Sequence, residues 1–294
     1  MKTGIVFEGG ASRTAFTNGV IDELLRADVR VNYVIGTSAG IGNGLSFISR
    51  QIGRNLRISM QYVPDKRYMG KRYLFKKGNR SYYNLPFVFD EIPNHYCPLD
   101  YEAFSRFEGE IYACVTDMNT GRSDYLPVNA EDKQWRAVMA SCSLPLLFQP
   151  VNIGGHLYMD GGVACPVPYA RALRDGCDKL IVVLTRERGY VKSEHDALTD
   201  ASAFLYRNYP KFAHRLLLRG RIYNAQRQRL YELEREGRVF LITPENTAHF
   251  RRNESNPAVI RELYLQGCRC AKAEMPALKR FLETDLPASA KKQL

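Results

Sequence analysis

Two short glycine-containing motifs near the start of this 294-residue chain have the composition of a serine active site. Gly36-x-Ser38-x-Gly40 has the spacing of a nucleophile elbow, in which a serine lies on a sharp strand-to-helix turn. Such a pattern arises by chance in roughly one chain of this length in ten, so its position after an apolar strand and before a helix matters. Glu8-Gly9-Gly10-Ala11-Ser12-Arg13 lies at a similar junction, where backbone N–H groups can approach an anion.

The glycine-rich turn and a third motif each have a competing interpretation. The turn could be a nucleotide phosphate loop, but it has neither Gly-x-Gly-x-x-Gly nor a P-loop lysine, so an oxyanion hole fits better. Asp160-Gly161-Gly162 follows an alternating stretch, and Asp-Gly alone is a common hairpin turn.

In this order and at these separations, the three motifs resemble those of the patatin-like phospholipase family. The stretch from Ser141 to Pro150 resembles the family's segment before the catalytic aspartate, and the resemblance spans roughly residues 4–185. It implies a three-layer α/β/α sandwich with a mostly parallel sheet and a Ser-Asp dyad that acts on acyl esters of phospholipids or related lipids, with no metal or organic cofactor. The resemblance assigns Ser38 as nucleophile, Asp160 as base, the Gly9, Gly10 and Ala11 amides as oxyanion donors, Arg13 as support for that turn, and Gly36, Gly40, Gly161 and Gly162 as motif glycines.

Two residues depart from the family's pattern in the oxyanion turn. Ala11 stands where a third glycine is common, and Thr14 where a glycine follows the arginine. The Ala11 amide remains a suitable donor if its φ is negative, so we expect activity to survive both departures.

The pattern of apolar residues supports the same fold class. Apolar runs predict strands at 4–7, 31–35, 110–115 and 179–184, and Phe16, Val20 and Leu24 form a helical stripe between the first two. A second helix is predicted from the Ser38 turn to about residue 52. Strand and helix in alternation indicate a parallel sheet covered on both faces.

From about residue 200 the chain becomes polar, basic and helical, with Pro210, Pro257 and Pro276 as predicted boundaries. We therefore predict a catalytic α/β domain over 1–190 and a basic helical C-terminal region over 191–294, packed on it.

The chain contains five histidines, so a Ser-His-Asp esterase is an alternative to the Ser-Asp dyad. In ordinary α/β hydrolases the triad order is serine, acid, histidine, and His195, His214 and His249 all follow Asp160. Ser38 comes unusually early for that fold, however, and each histidine reads as a surface or packed residue. His95 has no second ligand at useful spacing, so no metal is assigned.

The charge balance is strongly positive: 42 Lys and Arg against 31 Asp and Glu give +11. Such an excess attracts an anionic membrane or nucleic acid, or serves solubility alone. The cations of residues 66–80 are interleaved with aromatic rings and contain no acid among them, which suits either a docking surface for anionic lipid or a solvated loop; they are Lys66, Arg67, Lys71, Arg72, Lys76, Lys77 and Arg80. Without a recognisable nucleic-acid-binding motif, RNA or DNA is the less favoured partner.

Composition argues against a transmembrane, secreted or disulfide-stabilised protein. No window is apolar enough for a transmembrane helix, the N-terminus lacks a signal-peptide pattern, and seven cysteines without a Cys-x-x-Cys pair read as reduced thiols. The sequence thus predicts a cytoplasmic serine acyl hydrolase for phospholipid or lysophospholipid, peripheral at the inner membrane surface. A Ser-His-Asp esterase, and a non-catalytic lipid- or RNA-binding protein on a hydrolase scaffold, remain the alternatives.

Overall fold

A computed structural model describes residues 1–194 and 197–285 of the chain. In this part eight strands form one mixed sheet with the order β5-β6-β3-β2-β1-β7-β8, and β4 pairs with β3 beside that path. The strands are β1 (Thr3–Phe7), β2 (Tyr33–Thr37), β3 (Glu110–Asp117), β4 (Ser123–Pro127), β5 (Val151–Ile153), β6 (His156–Asp160), β7 (Lys179–Val183) and β8 (Val239–Ile242). The strands from β3 through β2, β1 and β7 to β8 are parallel, whereas β4, β5 and β6 pair antiparallel.

Helices cover both faces of this sheet. They are α1 (Ala15–Arg26), α2 (Ala39–Ile48), α3 (Arg54–Arg57), α4 (Tyr101–Ser105), α5 (Arg136–Ser141), α6 (Tyr169–Arg174), α7 (Ala197–Leu205), α8 (Pro210–Leu217), α9 (Arg219–Arg235) and α10 (Pro257–Glu283). Short 3₁₀ turns lie at Ala11–Thr14, Lys71–Leu74 and Gly161–Val163, and π-helical turns at Ile58–Tyr62 and Phe87–Tyr96.

The alternation of side chains along the central strands creates two cores. Ile5 and Phe7 point into the core shared with α1, α2, α5 and α10, whereas Val6 points into the core shared with α6 and α9. Because successive residues of a strand face opposite sides, a strand that is apolar throughout must be covered twice. The predicted three-layer α/β/α sandwich with a mostly parallel sheet is confirmed.

The C-terminal region contains more than helices. The prediction missed β8, which extends the sheet beside β7. Pro210 and Pro257 begin α8 and α10 as predicted, but Pro276 lies inside α10 and was wrongly taken as a boundary. A proline removes one helical hydrogen bond, a loss that the packing of α10 along the domain offsets here.

Helix α10 lies against α1 at very short range. A Cβ placed on Gly19 of α1 would lie 2.1 Å from the Tyr264 carbonyl oxygen, and one on Gly267 of α10 would lie 2.1 Å from the Phe16 oxygen. The two helix backbones are therefore in direct contact. At the far end of α10, the buried Lys179 ammonium of β7 donates to the carbonyls of Phe281 and Thr284.

All seven cysteines are free. Over residues 1–194 and 197–285, no helix combines the length and the apolar character needed to cross a bilayer.

Candidate active site

Ser38 occupies the sharp turn between β2 and α2. Its φ of 55° and ψ of −135° lie outside the conformations that non-glycine residues prefer, which is the strained geometry expected of an elbow. The residue is 9 % exposed, and its backbone N–H donates to Ser141 Oγ at 2.8 Å. The Ser141 hydroxyl in turn donates to the Cys114 carbonyl oxygen at 2.6 Å.

The motif glycines allow close backbone approaches around this turn. A Cβ on Gly40 would lie 2.6 Å from the carbonyl oxygens of both Phe7 and Glu8, so α2 can pass the end of β1 only without a side chain there. A Cβ on Gly36 would lie 2.7 Å from the Ile41 nitrogen. Both predicted glycines therefore have steric reasons for their positions.

Asp160 ends β6 directly beside the serine. Its Oδ2 accepts a hydrogen bond from Ser38 Oγ at 2.7 Å, and its Oδ1 accepts from the Gly162 N–H at 2.7 Å. The next residue, Gly161, packs against β3, where a Cβ would lie 2.2 Å from the Cys114 oxygen. The structure thus brings together two side chains that are 122 positions apart in the chain.

Burial dominates the electrostatics of Asp160. The carboxyl group is 1 % exposed, and loss of solvent raises its pKa above the ordinary value. The hydrogen bond from Ser38 and the positive charges of Arg219 and Arg252 act in the opposite direction. A carboxylate with a raised pKa is a stronger base than an exposed one.

The predicted oxyanion turn lies next to Ser38. In the described part of the chain, the N–H groups of Gly10 and Ala11 donate to no protein partner. A Cβ on Gly9 would lie 3.0 Å from the Ser38 Cβ, so this turn and the elbow are in contact. Thr185 holds the turn from the β7 side, because its hydroxyl donates to the Gly9 oxygen at 3.1 Å.

Ala11 differs from expectation in its backbone conformation. Its φ is 50°, so the negative φ assumed from the sequence is wrong. An N–H group can donate at either sign of φ, but a Cβ in this region is strained, which accounts for the glycine common at this position. Thr14 is accommodated locally, since its hydroxyl donates to the Ala11 oxygen at 2.7 Å.

Arg13 lies in the same turn, and its backbone N–H donates to the Gly10 oxygen at 3.2 Å. Burial lowers the pKa of its guanidinium to about 10, and its Nε is buried without a partner among the described residues. Sequence reasoning named Arg13 but missed the two hydroxyl residues that hold the turns, Ser141 and Thr185. Ser141 lies in the stretch that resembles the family, which was the available signal.

The described histidines lie elsewhere and contact neither Ser38 nor Asp160. His156 pairs with Asp117 at 2.9 Å, His249 lies 3.3 Å from Glu262, and His214 is exposed on α8. His195 falls outside the described residues. The described part also contains no group of three or more His, Cys, Asp and Glu side chains placed to hold a metal ion.

An apolar cavity of about 170 Å³ opens beside the Ser38 turn. Ala11 of the oxyanion turn and Ala39, the residue after Ser38, both line it. Its apolar walls include Leu45, Ile58, Phe89, Ile92, Val138 and Ile260.

The family model described as patatin-like phospholipase matches residues 5–173, a span that contains the elbow, the oxyanion turn and Asp160. This chain belongs to the patatin-like phospholipase family. A second family model, described as a domain of unknown function, matches residues 209–283, so the patatin-like part is followed by a segment with its own sequence signature.

Curated relatives share the patatin-like part. Uncharacterized protein YjjU of Escherichia coli is 29 % identical over 191 residues, which cover 63 % of this chain and 52 % of YjjU. Lysophospholipase NTE1 of Coccidioides immitis is 26 % identical over 189 residues, which cover 62 % of this chain and 11 % of NTE1. The match thus spans about half of the first relative and about a tenth of the second.

Among solved structures, the crystal structure of VipD from Legionella pneumophila is similar to this patatin-like chain, with a TM-score of 0.44 at 12 % identity. The match covers 92 % of this chain and 67 % of VipD.

Proposed function

We propose that this chain is a serine acyl hydrolase that cleaves fatty-acyl esters of phospholipid or lysophospholipid with a Ser38-Asp160 dyad. The observation that carries the proposal is the 2.7 Å hydrogen bond from Ser38 Oγ to the buried Asp160 Oδ2, at a strained elbow beside two unpartnered amides. Family membership and the lysophospholipase named among the relatives support the lipid substrate.

In the first step, Ser38 Oγ attacks the ester carbonyl and its proton passes to Asp160 Oδ2. A hydroxyl is a weak nucleophile until a positioned base accepts its proton. The N–H groups of Gly10 and Ala11, with Gly9 beside them, face the developing oxyanion, and donors fixed before the reaction lower the barrier most. The protonated Asp160 then returns the proton to the leaving alcohol.

In the second step, water hydrolyses the acyl-enzyme. Asp160 accepts a proton from this water as the water oxygen attacks the acyl carbonyl. The bond between that carbonyl and Ser38 Oγ then breaks, Asp160 returns the proton to Oγ, and the fatty acid leaves. Both steps use the same carboxylate and need no further group.

The apolar cavity supplies a place for the acyl chain. Its lining includes Ala39, which follows Ser38, and Ala11 of the oxyanion turn, and most of the lining surface is apolar. Burial of each methylene of a fatty acid contributes about 0.8 kcal/mol, so the cavity would favour long-chain esters.

We place the reaction in the cytoplasm, at the surface of an anionic membrane that the basic loop, residues 66–80, contacts. In this loop the seven cations and Phe75 are exposed, with Phe75 at 87 %, whereas Tyr68 lines the acyl cavity. An exposed ring among cations suits a lipid interface, and the presence of Tyr68 in the cavity wall supports an acyl site next to the membrane.

A serine-directed fluorophosphonate tests the proposal. We expect stoichiometric labelling that maps to Ser38 and is lost in Ser38→Ala. Ser59→Ala is the matched control, because its hydroxyl lines the same cavity away from Asp160, and it should label like wild type. An unlabelled wild-type protein would overturn the proposal in favour of a lipid- or RNA-binding protein on a hydrolase scaffold.

A further inference from the structure

A buried cation, Arg54 of α3, is part of the lining of the acyl cavity and is only 6 % exposed. Its Nε donates to the carbonyl oxygens of Cys97 and Pro98 at 3.2 and 3.3 Å. Its Nη2 donates to the Cys97 oxygen at 2.9 Å, and its Nη1 donates to the Ser46 hydroxyl at 3.1 Å. A guanidinium carries five N–H donors, so one donor on each terminal nitrogen has no protein acceptor within residues 1–194 and 197–285.

No carboxylate compensates the charge of Arg54 at short range in the described part of the chain, where no Asp or Glu oxygen lies within 4 Å of the guanidinium. The Asp22 carboxylate lies at the start of the same helix, but it accepts from the Gly53 N–H at 3.0 Å and from the Tyr264 hydroxyl at 2.7 Å. Burial lowers the pKa of Arg54. A buried cation that hydrogen-bonds only neutral groups is poorly stabilised, and it favours a ligand with negative charge.

Two amides extend the polar lining around Arg54, and we call Asn43, Arg54 and Asn55 the polar wall of the cavity. Ser46 Oγ, which accepts from Arg54, donates to Asn55 Oδ1 at 2.7 Å. Asn55 Nδ2 donates in turn to the Asn43 carbonyl oxygen at 2.9 Å. These hydrogen bonds hold Arg54 in place, so its two free donors are positioned before a ligand arrives.

The polar wall lies some way along α2 from Ser38. Ser38 is the N-cap of α2, and Ser46, which anchors Arg54, comes eight residues later in the same helix. At a rise of 1.5 Å for each residue, the two positions are about 12 Å apart along the helix axis. An extended chain of about ten bonds spans that distance, since the three backbone bonds of one amino-acid residue cover about 3.5 Å.

We propose that the cavity takes acyl chains that end in a carboxylate, which pairs with Arg54 while Ser38 attacks the ester at the other end of the chain. The unpaired charge and the two free N–H donors of Arg54 suit a carboxylate, because such a pair forms charge-assisted hydrogen bonds. The apolar part of the lining fits the methylenes of the chain. The substrate class is therefore an ester of a linear dicarboxylic acid of about ten carbons. This inference rests on the proposed hydrolase function and adds its acyl specificity.

The test compares 4-nitrophenyl esters of linear acids of increasing length that end either in a methyl group or in a carboxylate, each below its aggregation concentration. We expect the ratio of kcat/KM, carboxylate over methyl, to reach a maximum near about ten carbons in wild type, because Arg54 lies at a fixed distance from Ser38. Arg54→Met should lower that ratio about tenfold or more at this length, as loss of a charge-assisted hydrogen bond implies. Arg57→Gln, which removes an exposed charge from the same helix, should keep the ratio.

The chain-length profile of wild type keeps the inference falsifiable if Arg54→Met fails to fold, since Arg54 also ties the loop at Cys97 to α3. A ratio that stays flat across all lengths in wild type would overturn the carboxylate site without any variant. A maximum that persists in folded Arg54→Met would show that another cation binds the carboxylate, and it would overturn the role of Arg54.

Two further measurements separate the source of the carboxylate and the two proposals. Inhibition by decanoate that Arg54→Met removes, with no preference between the esters, would assign Arg54 to a free fatty acid and overturn the inference. Calorimetry of monomethyl sebacate with Ser38→Ala reads binding without turnover. Binding that the added change Arg54→Met abolishes, when wild type hydrolyses no ester, would keep the carboxylate site and overturn the hydrolase. Hydrolysis of both esters with neither preference nor binding would overturn the carboxylate site alone.

Discussion

The Ser141 hydroxyl joins Ser38 to the sheet: it accepts a hydrogen bond from the Ser38 N–H at 2.8 Å and donates one to the Cys114 oxygen of β3 at 2.6 Å. A single side chain therefore fixes the backbone of a strained turn against a rigid strand. Ser141 does not contact the bond to be cleaved, so its contribution to the proposed reaction is positional.

Ser141→Ala should lower kcat about tenfold while leaving KM nearly unchanged, because the Ser38 backbone loses its anchor. It should also lower stability by about 1–3 kcal/mol, since the buried Ser38 N–H and Cys114 oxygen lose their partner. Steady-state kinetics and thermal melting measure both effects. Ser143→Ala is the control, as that hydroxyl donates to the Met139 oxygen in the same segment without touching Ser38. Equal kcat in the two variants would contradict the positional role.

Asp160→Asn should reduce ester hydrolysis on the order of 10²-fold or more, because the amide keeps the shape of the side chain but cannot accept the serine proton. The melting temperature should not fall, since a buried charge is replaced by a neutral group. Asp117→Asn, at the end of the adjacent β3, is the control. A folded Asp160→Asn protein with full activity would remove Asp160 from the reaction.

The raised pKa of Asp160 predicts a pH dependence of both activity and stability. The acid limb of kcat/KM should have its midpoint above about 4, the ordinary value for aspartate, because the base must be ionised. A carboxyl whose pKa is raised on folding stabilises the protein below its unfolded pKa, and this contribution is lost as pH rises through the folded pKa. As the pH rises through the folded pKa of Asp160, the melting temperature of Asp160→Asn should therefore increase relative to that of wild type.

Ala11→Gly should stabilise the protein by about 1 kcal/mol, because glycine adopts the observed φ of 50° without a strained Cβ. For a domain of this size, that corresponds to a rise in melting temperature of about 2 °C. Ala11→Val should have the opposite effect, since a β-branched residue tolerates positive φ poorly. Calorimetric melting of the three proteins checks the order, and a lower melting temperature for Ala11→Gly would show that φ at this position is not the source of strain.

The histidines provide a test between the dyad and a triad. Single changes of His195, His214 and His249 to Gln should leave turnover within a few fold of wild type, because Asp160 Oδ2 already accepts the hydrogen bond of the Ser38 hydroxyl. A collapse of turnover in any one of them would transfer the base role to an imidazole.

The basic loop predicts a dependence on lipid charge. Replacing Lys71, Arg72, Lys76 and Lys77 with Gln should weaken binding to anionic vesicles at low salt, at roughly 1 kcal/mol for each charge near the surface. Added salt should reduce the difference, and hydrolysis of a soluble short-chain ester should change little. A control variant carries the same loss of charge on exposed positions of α10: Arg269, Lys272, Lys279 and Arg280. Binding is measured by vesicle sedimentation. Equal binding by wild type and the loop variant at low salt would show that the basic loop does not bind the membrane and is only a solvated loop.

The local pattern of apolar residues was sufficient to predict several of the strands and helices. β1 and β7 are short apolar runs, and the stripe of Phe16, Val20 and Leu24 predicted α1 well. β8 carries a similar run from Val239 to Ile242, but the basic helices around it obscured a strand only four residues long. The prediction of a helix boundary at Pro276 was wrong because the packing of the long helix α10 outweighs the tendency of a proline to end a helix.

The site was predictable only in part, since proximity in space depends on packing. Resemblance suggested Ser38 and Asp160 as partners, and the fold brings them within hydrogen-bond distance. Nothing local to Arg219 or Arg252 indicates that their charges act on Asp160, because they belong to α9 and to the loop after β8, which only the fold brings to this edge of the sheet. The positive φ of Ala11 likewise follows from the turn as a whole, which no single residue type encodes.

The contact between Gly19 and Gly267 limits how this protein can be rearranged. Each glycine leaves room for a carbonyl oxygen of the opposite helix, so any side chain on either one would separate α1 from α10. A chimaera that combines this N-terminal part with another protein's C-terminal region would need glycine at both contact points to close. The two segments that carry the family signatures can consequently be exchanged separately only between chains that keep both glycines.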